Sequence, residues 1–82
     1  MSEEFSDIIE AMKEMASDST VPQSVRVKLN KIVQSFNDKT QDKAILANKV
    51  LDELEAISND TNIPSYTRTQ IWNLSSMLEL IH

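Results

Sequence analysis

The chain of 82 residues has no cysteine and no glycine, only two prolines, and one histidine, which is the last residue, His82. Each shortage excludes something. Without cysteine there is no disulfide and no thiolate metal ligand. Without glycine, no residue enters φ > 0 cheaply, so β-hairpins and phosphate-cradling loops have poor material. A lone histidine makes neither a metal site nor a catalytic dyad, and it cannot supply the Glu-x-x-His pairs of a di-iron bundle. The acidic opening Met1-Ser2-Glu3-Glu4 is not the basic start of a signal peptide. No run approaches the ~18 consecutive apolar residues of a membrane span. These absences lead us to expect a cytoplasmic protein with no cofactor, no metal, no membrane contact and no catalytic residues, and so no enzyme.

What is present is a repeat. Asp18-Ser-Thr-Val-Pro22-Gln-Ser-Val-Arg26 returns 42 positions later as Asp60-Thr-Asn-Ile-Pro64-Ser-Tyr-Thr-Arg68. The shared pattern is D-x-x-[V/I]-P-x-x-x-R. Apolar residues around it match too: Phe5, Ile8, Ile9, Met12 and Met15 correspond to Ala47, Val50, Leu51, Leu54 and Ile57. The chain therefore reads as one domain over 1–82, with repeat 1 over about 3–36, a linker at 37–40 and repeat 2 over about 41–80. A chain this short buries only somewhat over ~60% of its unfolded surface, so little core is available to the monomer.

The periodicity is helical throughout, and no segment alternates at period two. Helix 1 is predicted over 3–16, with Ser2 as cap, Glu3 and Glu4 in the first turn, and Phe5, Ile8, Ile9, Met12, Met15 and Ala16 on one face. Helix 2 is predicted to open at Pro22 as its first residue, with Val25, Leu29, Ile32, Val33 and Phe36 inward. Helix 3 is predicted over 40–57, capped by Asp38 with Gln41 or by Thr40, with Ala47, Val50, Leu51, Leu54 and Ile57 inward. Helix 4 is predicted from Pro64 to about 80, with Thr67, Ile71, Leu74, Ser75, Leu78 and Ile81 inward. Short connections make neighbouring helices antiparallel. The expected fold is all-α, a four-helix bundle made of two duplicated helical hairpins, with a pair of stacked hairpins as the other arrangement.

The repeat unit resembles the HEAT-type helical hairpin, in which an Asp in the turn and an Arg early in the second helix are common. It departs from that pattern in lacking glycine and in the spacing before Val25-Arg26. A second resemblance is longer. Residues 58–73 read S-N-D-T-N-I-P-S-Y-T-R-T-Q-I-W-N. This string is similar to the C-terminal signature of a family of short archaeal proteins, uncharacterised protein family 0147, and Ser17-Asp18 and Val21-Pro22 echo its earlier segment. The resemblance implies an all-helical fold of this length and an archaeal, cytoplasmic setting. It implies no activity.

Charge is segregated along the chain, whose net charge is −5. Residues 1–24 sum to −5, residues 25–49 to +4 and residues 50–82 to −4. Arg26, Lys28, Lys31, Lys39 and Lys43 form a candidate basic patch, too sparse to specify nucleic acid. Glu3, Asp7, Glu10 and Glu14 read as a solvated stripe. Asp18 and Asp60 with Arg26 and Arg68 read as structural clasps, each carboxylate accepting from N–H groups at the next helix start or pairing with its arginine. On helix 4, Tyr66, Met77 and Leu80 fall on one flank and Trp72 on the other. Both flanks lie outside the inward stripe, which makes these residues the candidate interface of a homodimer. One tryptophan without clustered arginines is no platform for stacked bases. The function expected is therefore a small, self-associating interaction or adaptor module, with a nucleic-acid-associated module as the alternative.

Overall fold

The structure, a computed structural model, describes residues 5–81. The expectations for Ser2, Glu3, Glu4 and His82 lie outside the described residues. Those described form four helices and no strand: α1 (Ser6–Ala16), α2 (Gln23–Asn37), α3 (Lys43–Ser58) and α4 (Ser65–Ile81). The radius of gyration, 11.9 Å, is that of a compact chain of this length, about 12 Å. None of the helices is long and apolar enough to cross a membrane.

The chain turns three times without a residue at positive φ among those described. Each turn is built on an aspartate. Asp18 Oδ1 accepts from the Thr20 N–H at 2.9 Å and from the Thr20 hydroxyl at 2.7 Å. Asp38 Oδ1 accepts from Thr40 in the same two ways, at 2.9 and 2.7 Å. Asp60 Oδ1 accepts from the Asn62 N–H at 2.8 Å. The aspartate's own carbonyl then accepts from the residue three further on, Val21, Gln41 or Ile63. An aspartate side chain that bonds the backbone two residues on makes a turn without glycine. Val21 and Ile63 are thereby delivered into the core just before the two prolines.

Three helix starts differ from expectation, the plainest being α4, which begins at Ser65 and leaves Pro64 outside. Pro22 is not the first helical residue: with φ −54° and ψ 142° it stands outside α2, and its carbonyl accepts from Val25 and Arg26. The cap of α3 is neither Asp38 nor Thr40. Those two are bonded to each other, which leaves Asp42 Oδ1 to accept from the Ala44 and Ile45 N–H groups at 2.9 and 3.3 Å. The middle connection accordingly spans 38–42.

The expected stripes of α1 and α2 are buried, apart from Ile9 and Ala16, which are half-buried. Phe5 and Phe36 meet with ring centroids 5.2 Å apart, so the start of α1 lies at the end of α2 and the two run antiparallel. α1 packs most extensively on α2, and α3 on α4, with smaller contacts between α1 and α4 and between α2 and α3. Leu46 is buried although it lay outside the expected stripe, because α3 faces both α2 and α4 and needs a wider apolar face. Ile81, expected inward, is exposed at the end of α4. Burial repeats with the same 42-residue offset as the sequence: Ile8 and Val50, Met12 and Leu54, Leu29 and Ile71, and Phe36 and Leu78 are buried in pairs.

Candidate functional site

The arginines of the repeat bond to backbone. Arg26 Nε donates to the Val21 carbonyl at 2.9 Å. Arg68 Nε donates to the Ser58 carbonyl at 2.8 Å, and its Nη2 to the Asp60 carbonyl at 3.0 Å. In the middle connection Lys43 Nζ reaches the Asp38 carbonyl at 2.9 Å. A cation thus holds the backbone of every connection, while each aspartate carboxylate closes its own turn instead of reaching the next helix start.

Two of these carboxylates titrate low. The Thr20 N–H, then its hydroxyl, and then the charge of Arg26 hold Asp18 below the usual carboxylate range. Asp38 is held low by the Thr40 hydroxyl first, then the Thr40 N–H, with Gln41 and Lys43 adding to it. A folded-state pKa below the unfolded one stabilises the fold above the unfolded value, and that contribution is lost as pH falls through the folded value. The urea midpoint should therefore be level above pH ~5 and fall below pH ~4, where carboxylates of ordinary pKa begin to bind protons. Asp18→Asn with Asp38→Asn keeps the accepting oxygens and removes the titration, so its acid limb should be shallower. Parallel curves for the two proteins would sink the assignment.

Of the five candidate basic residues, Arg26 and Lys43 are engaged on carbonyls, whereas Lys28, Lys31 and Lys39 are exposed. Asp7, Glu10 and Glu14 are exposed on α1, and Glu3 lies outside the described residues. Among the described residues no three His, Cys, Asp or Glu side chains are grouped to hold a metal ion.

The outward face of α4 is different in kind. Tyr66 is 69% exposed, Trp72 55% and Leu80 87%. At roughly 100° per residue, Tyr66, Asn73 and Leu80 stand in one line, with Thr69 and Ser76 beside it and Trp72 toward α3. The only charged residues of α4 are Arg68, turned onto its loop, and Glu79. The exposed line therefore carries no charge, in a chain that is 26% charged. Met77 leaves this face: it is half-buried, packs against the core and lines a groove between α1 and α4 of about 600 Å³, together with Ala11, Glu14, Met15 and Gln70. Trp72 lines a second groove with Leu51, Asp52 and Glu55 of α3. Sequence reasoning picked out the apolar residues of α4 and missed the uncharged Ser, Thr and Asn between them.

The profile of the Uncharacterised protein family (UPF0147) matches residues 1–81. The chain belongs to this family. It is 40% identical over 80 residues to a UPF0147 protein of Methanosarcina mazei, covering 98% of this chain and 86% of that protein. It is 34% identical over 82 residues to UPF0147 protein TK2131 of Thermococcus kodakarensis, covering 99% of each. The crystal structure of a UPF0147 protein from Thermoplasma acidophilum superposes with a TM-score of 0.90 at 25% identity, over 98% of this chain and 94% of that one. A crystal structure of a protein of unknown function superposes at 0.84 with 30% identity, over 96% and 90%. The Methanosarcina and Thermococcus relatives are archaeal, and the fold shared with the UPF0147 crystal structure is all-helical. The family carries no activity in its description, so the surfaces of this UPF0147 chain must speak for themselves.

Proposed function

We propose that this UPF0147 chain is a small, non-catalytic, cytoplasmic interaction module: a four-helix bundle of two duplicated hairpins that pairs with a second copy through the outward face of α4. The observation that carries the reading is the uncharged line Tyr66–Asn73–Leu80 with Trp72 beside it, at least half exposed at its three apolar residues. Interface cores are depleted in charge and enriched in tyrosine and tryptophan. A two-fold axis brings one patch onto its own copy, and a patch without charge lets two chains of net charge −5 meet without opposing like charges. The 17 residues of α4 offer about 25 Å of helix for the contact. Duplication is supported by the matched burial of the halves and by the stronger packing within α1–α2 and within α3–α4. The likeness to HEAT-type hairpins rests on the turn Asp and the following Arg. The nucleic-acid reading has less support, because Arg26 and Lys43 already hold loop carbonyls.

Light scattering should give a dimer at high micromolar concentration, with Trp72 emission shifting to the blue as concentration rises. Tyr66→Glu with Trp72→Glu should give a monomer of unchanged helicity by circular dichroism. Wild-type protein that remains monomeric at that concentration would remove the dimer.

A further inference from the structure

We infer that the groove between α1 and α4 is a docking site for a basic amphipathic helix of a partner protein. The inference rests on the reading of this chain as an interaction module, but it concerns a surface that adjoins the Tyr66–Trp72 face and shares only Asn73 and Leu80 with it. The groove runs most of the length of both helices. Near one end it is lined by Glu14 and Asp18 with Gln70, and near the other by Asp7 and Ile8 with Leu80 and Ile81; Met77 belongs to both stretches. α1 and α4 therefore run in opposite directions along it.

Its two walls differ chemically. Asp7 and Glu14 fall on one line of the α1 surface, at i and i+7, with Ala11 between them, and Asp18 follows in the turn after the helix. Asp7 and Glu14 are separated by about 10 Å along the axis, at 1.5 Å per residue. The α4 wall carries Gln70, Asn73 and Met77 and no charge. Apolar contact is supplied by Ala11 and Met77, over a floor of the buried Met15 and Leu74, and methionine adapts its shape to what it meets. No lysine or arginine lines either stretch. A helix laid in such a channel buries an apolar stripe and reads as anchors at i, i+3, i+4 and i+7. To match this wall it must carry cations on the flank nearest α1.

A second observation points to the same ligand chemistry. Gln70 Oε1 is a buried oxygen that accepts no hydrogen bond, and Gln70 lines this groove. An acceptor left unpaired in the interior destabilises the free protein. Lysine and arginine bring donors and no acceptors, so a cationic side chain entering there meets the carboxylates of Glu14 and Asp18 beside the Gln70 oxygen. An acidic helix or a nucleic acid would oppose its own charge to the α1 wall.

The test uses the full chain and a synthetic helix-forming peptide with leucines at i, i+3/i+4 and i+7 and lysines on one flank. Two controls accompany it, a twin with glutamate for lysine and a scramble of the same composition. Fluorescence anisotropy at low salt should show saturable binding of the lysine peptide only. Asp7→Asn with Glu14→Gln, both exposed residues, should weaken it about tenfold, the scale of losing two peripheral charge pairs. Ala11→Arg should abolish binding while the protein stays helical. Gln70→Met should raise the thermal midpoint of the free protein and yet weaken the peptide, opposite directions that a merely structural glutamine would not give. Amide shifts on adding peptide should centre on Ala11, Glu14, Asn73 and Met77. Absence of binding, equal affinity for the glutamate twin or the scramble, no effect of the charge removals, or shifts centred on the α3–α4 groove would each overturn the inference. Tyr66→Glu with Trp72→Glu leaves the groove intact and should retain the peptide. A monomeric wild type that binds peptide would thus cost only the dimer, and a Tyr66→Glu, Trp72→Glu monomer that does not bind would cost only the groove.

Discussion

Met12→Ala and Leu54→Ala should each lower the urea midpoint severely and by similar amounts. The two residues stand 42 apart in the chain, and each is 0% exposed. Truncating a buried leucine or methionine to alanine costs about 2–5 kcal/mol, from lost transfer energy and from the cavity left behind. A domain of this size has roughly 4–12 kcal/mol in total, at 0.05–0.15 per residue. One truncation therefore removes a large share of the stability, and the double variant should be unfolded in buffer. Ile45→Ala, at a residue 68% exposed, should change the midpoint little, within about 0.5 kcal/mol. All variants are compared at one protein concentration, because a self-associating chain has concentration-dependent stability. If Leu54→Ala were severe and Met12→Ala mild, α1 would be a peripheral helix and the two halves would not share the core equally.

The matched burial at a 42-residue offset was legible in the sequence because burial follows side-chain size and spacing, and both repeat. Leu29 and Ile71 are interchangeable on such a criterion, as are Phe36 and Leu78. What was not legible depends on which neighbour a helix faces. Leu46 is buried because α3 touches helices on two sides, and no one-stripe periodicity contains that information. Ile81 obeys the stripe of α4 but comes at its end, where α4 has little left to cover it. The turns were partly visible. Asp18-x-Thr20 and Asp60-x-Asn62 fell inside the repeat, while Asp38-x-Thr40 is the same local device at a position the 42-residue offset does not reach. At the site, the apolar residues of α4 were legible as a surplus. The uncharged character of the whole face needed attention to serine, threonine and asparagine. The unpaired oxygen of Gln70 belongs to packing alone, since nothing in a sequence says which amide is covered without being bonded.

Arg68→Ala should cost more than Arg26→Ala, although the two occupy the same place in the repeat. Arg26 makes one bond, from Nε to the Val21 carbonyl. Arg68 makes two, and its first partner is the carbonyl of Ser58, the last residue of α3. The last four carbonyls of a helix have no partner within it, and a cation there also meets the negative end of the helix dipole. Ser58 is itself buried, so water is a poor substitute donor once the guanidinium is gone. A hydrogen bond from a charged donor is worth about 1.5–3 kcal/mol, and Arg68→Ala, which removes two, should cost about 3 kcal/mol or more. Arg26→Ala should lose roughly half as much, having half as many such bonds. Lysine should not rescue position 68, because one ammonium on a flexible stem does not reproduce the planar fork that spans two carbonyls. Urea unfolding gives the costs, and amide exchange shows where they fall: protection should drop first over 59–64, the segment that the guanidinium ties to the end of α3. Equal losses at the two arginines, or full rescue by Arg68→Lys, would mean that the second bond carries no weight and that Arg68 acts only through its charge.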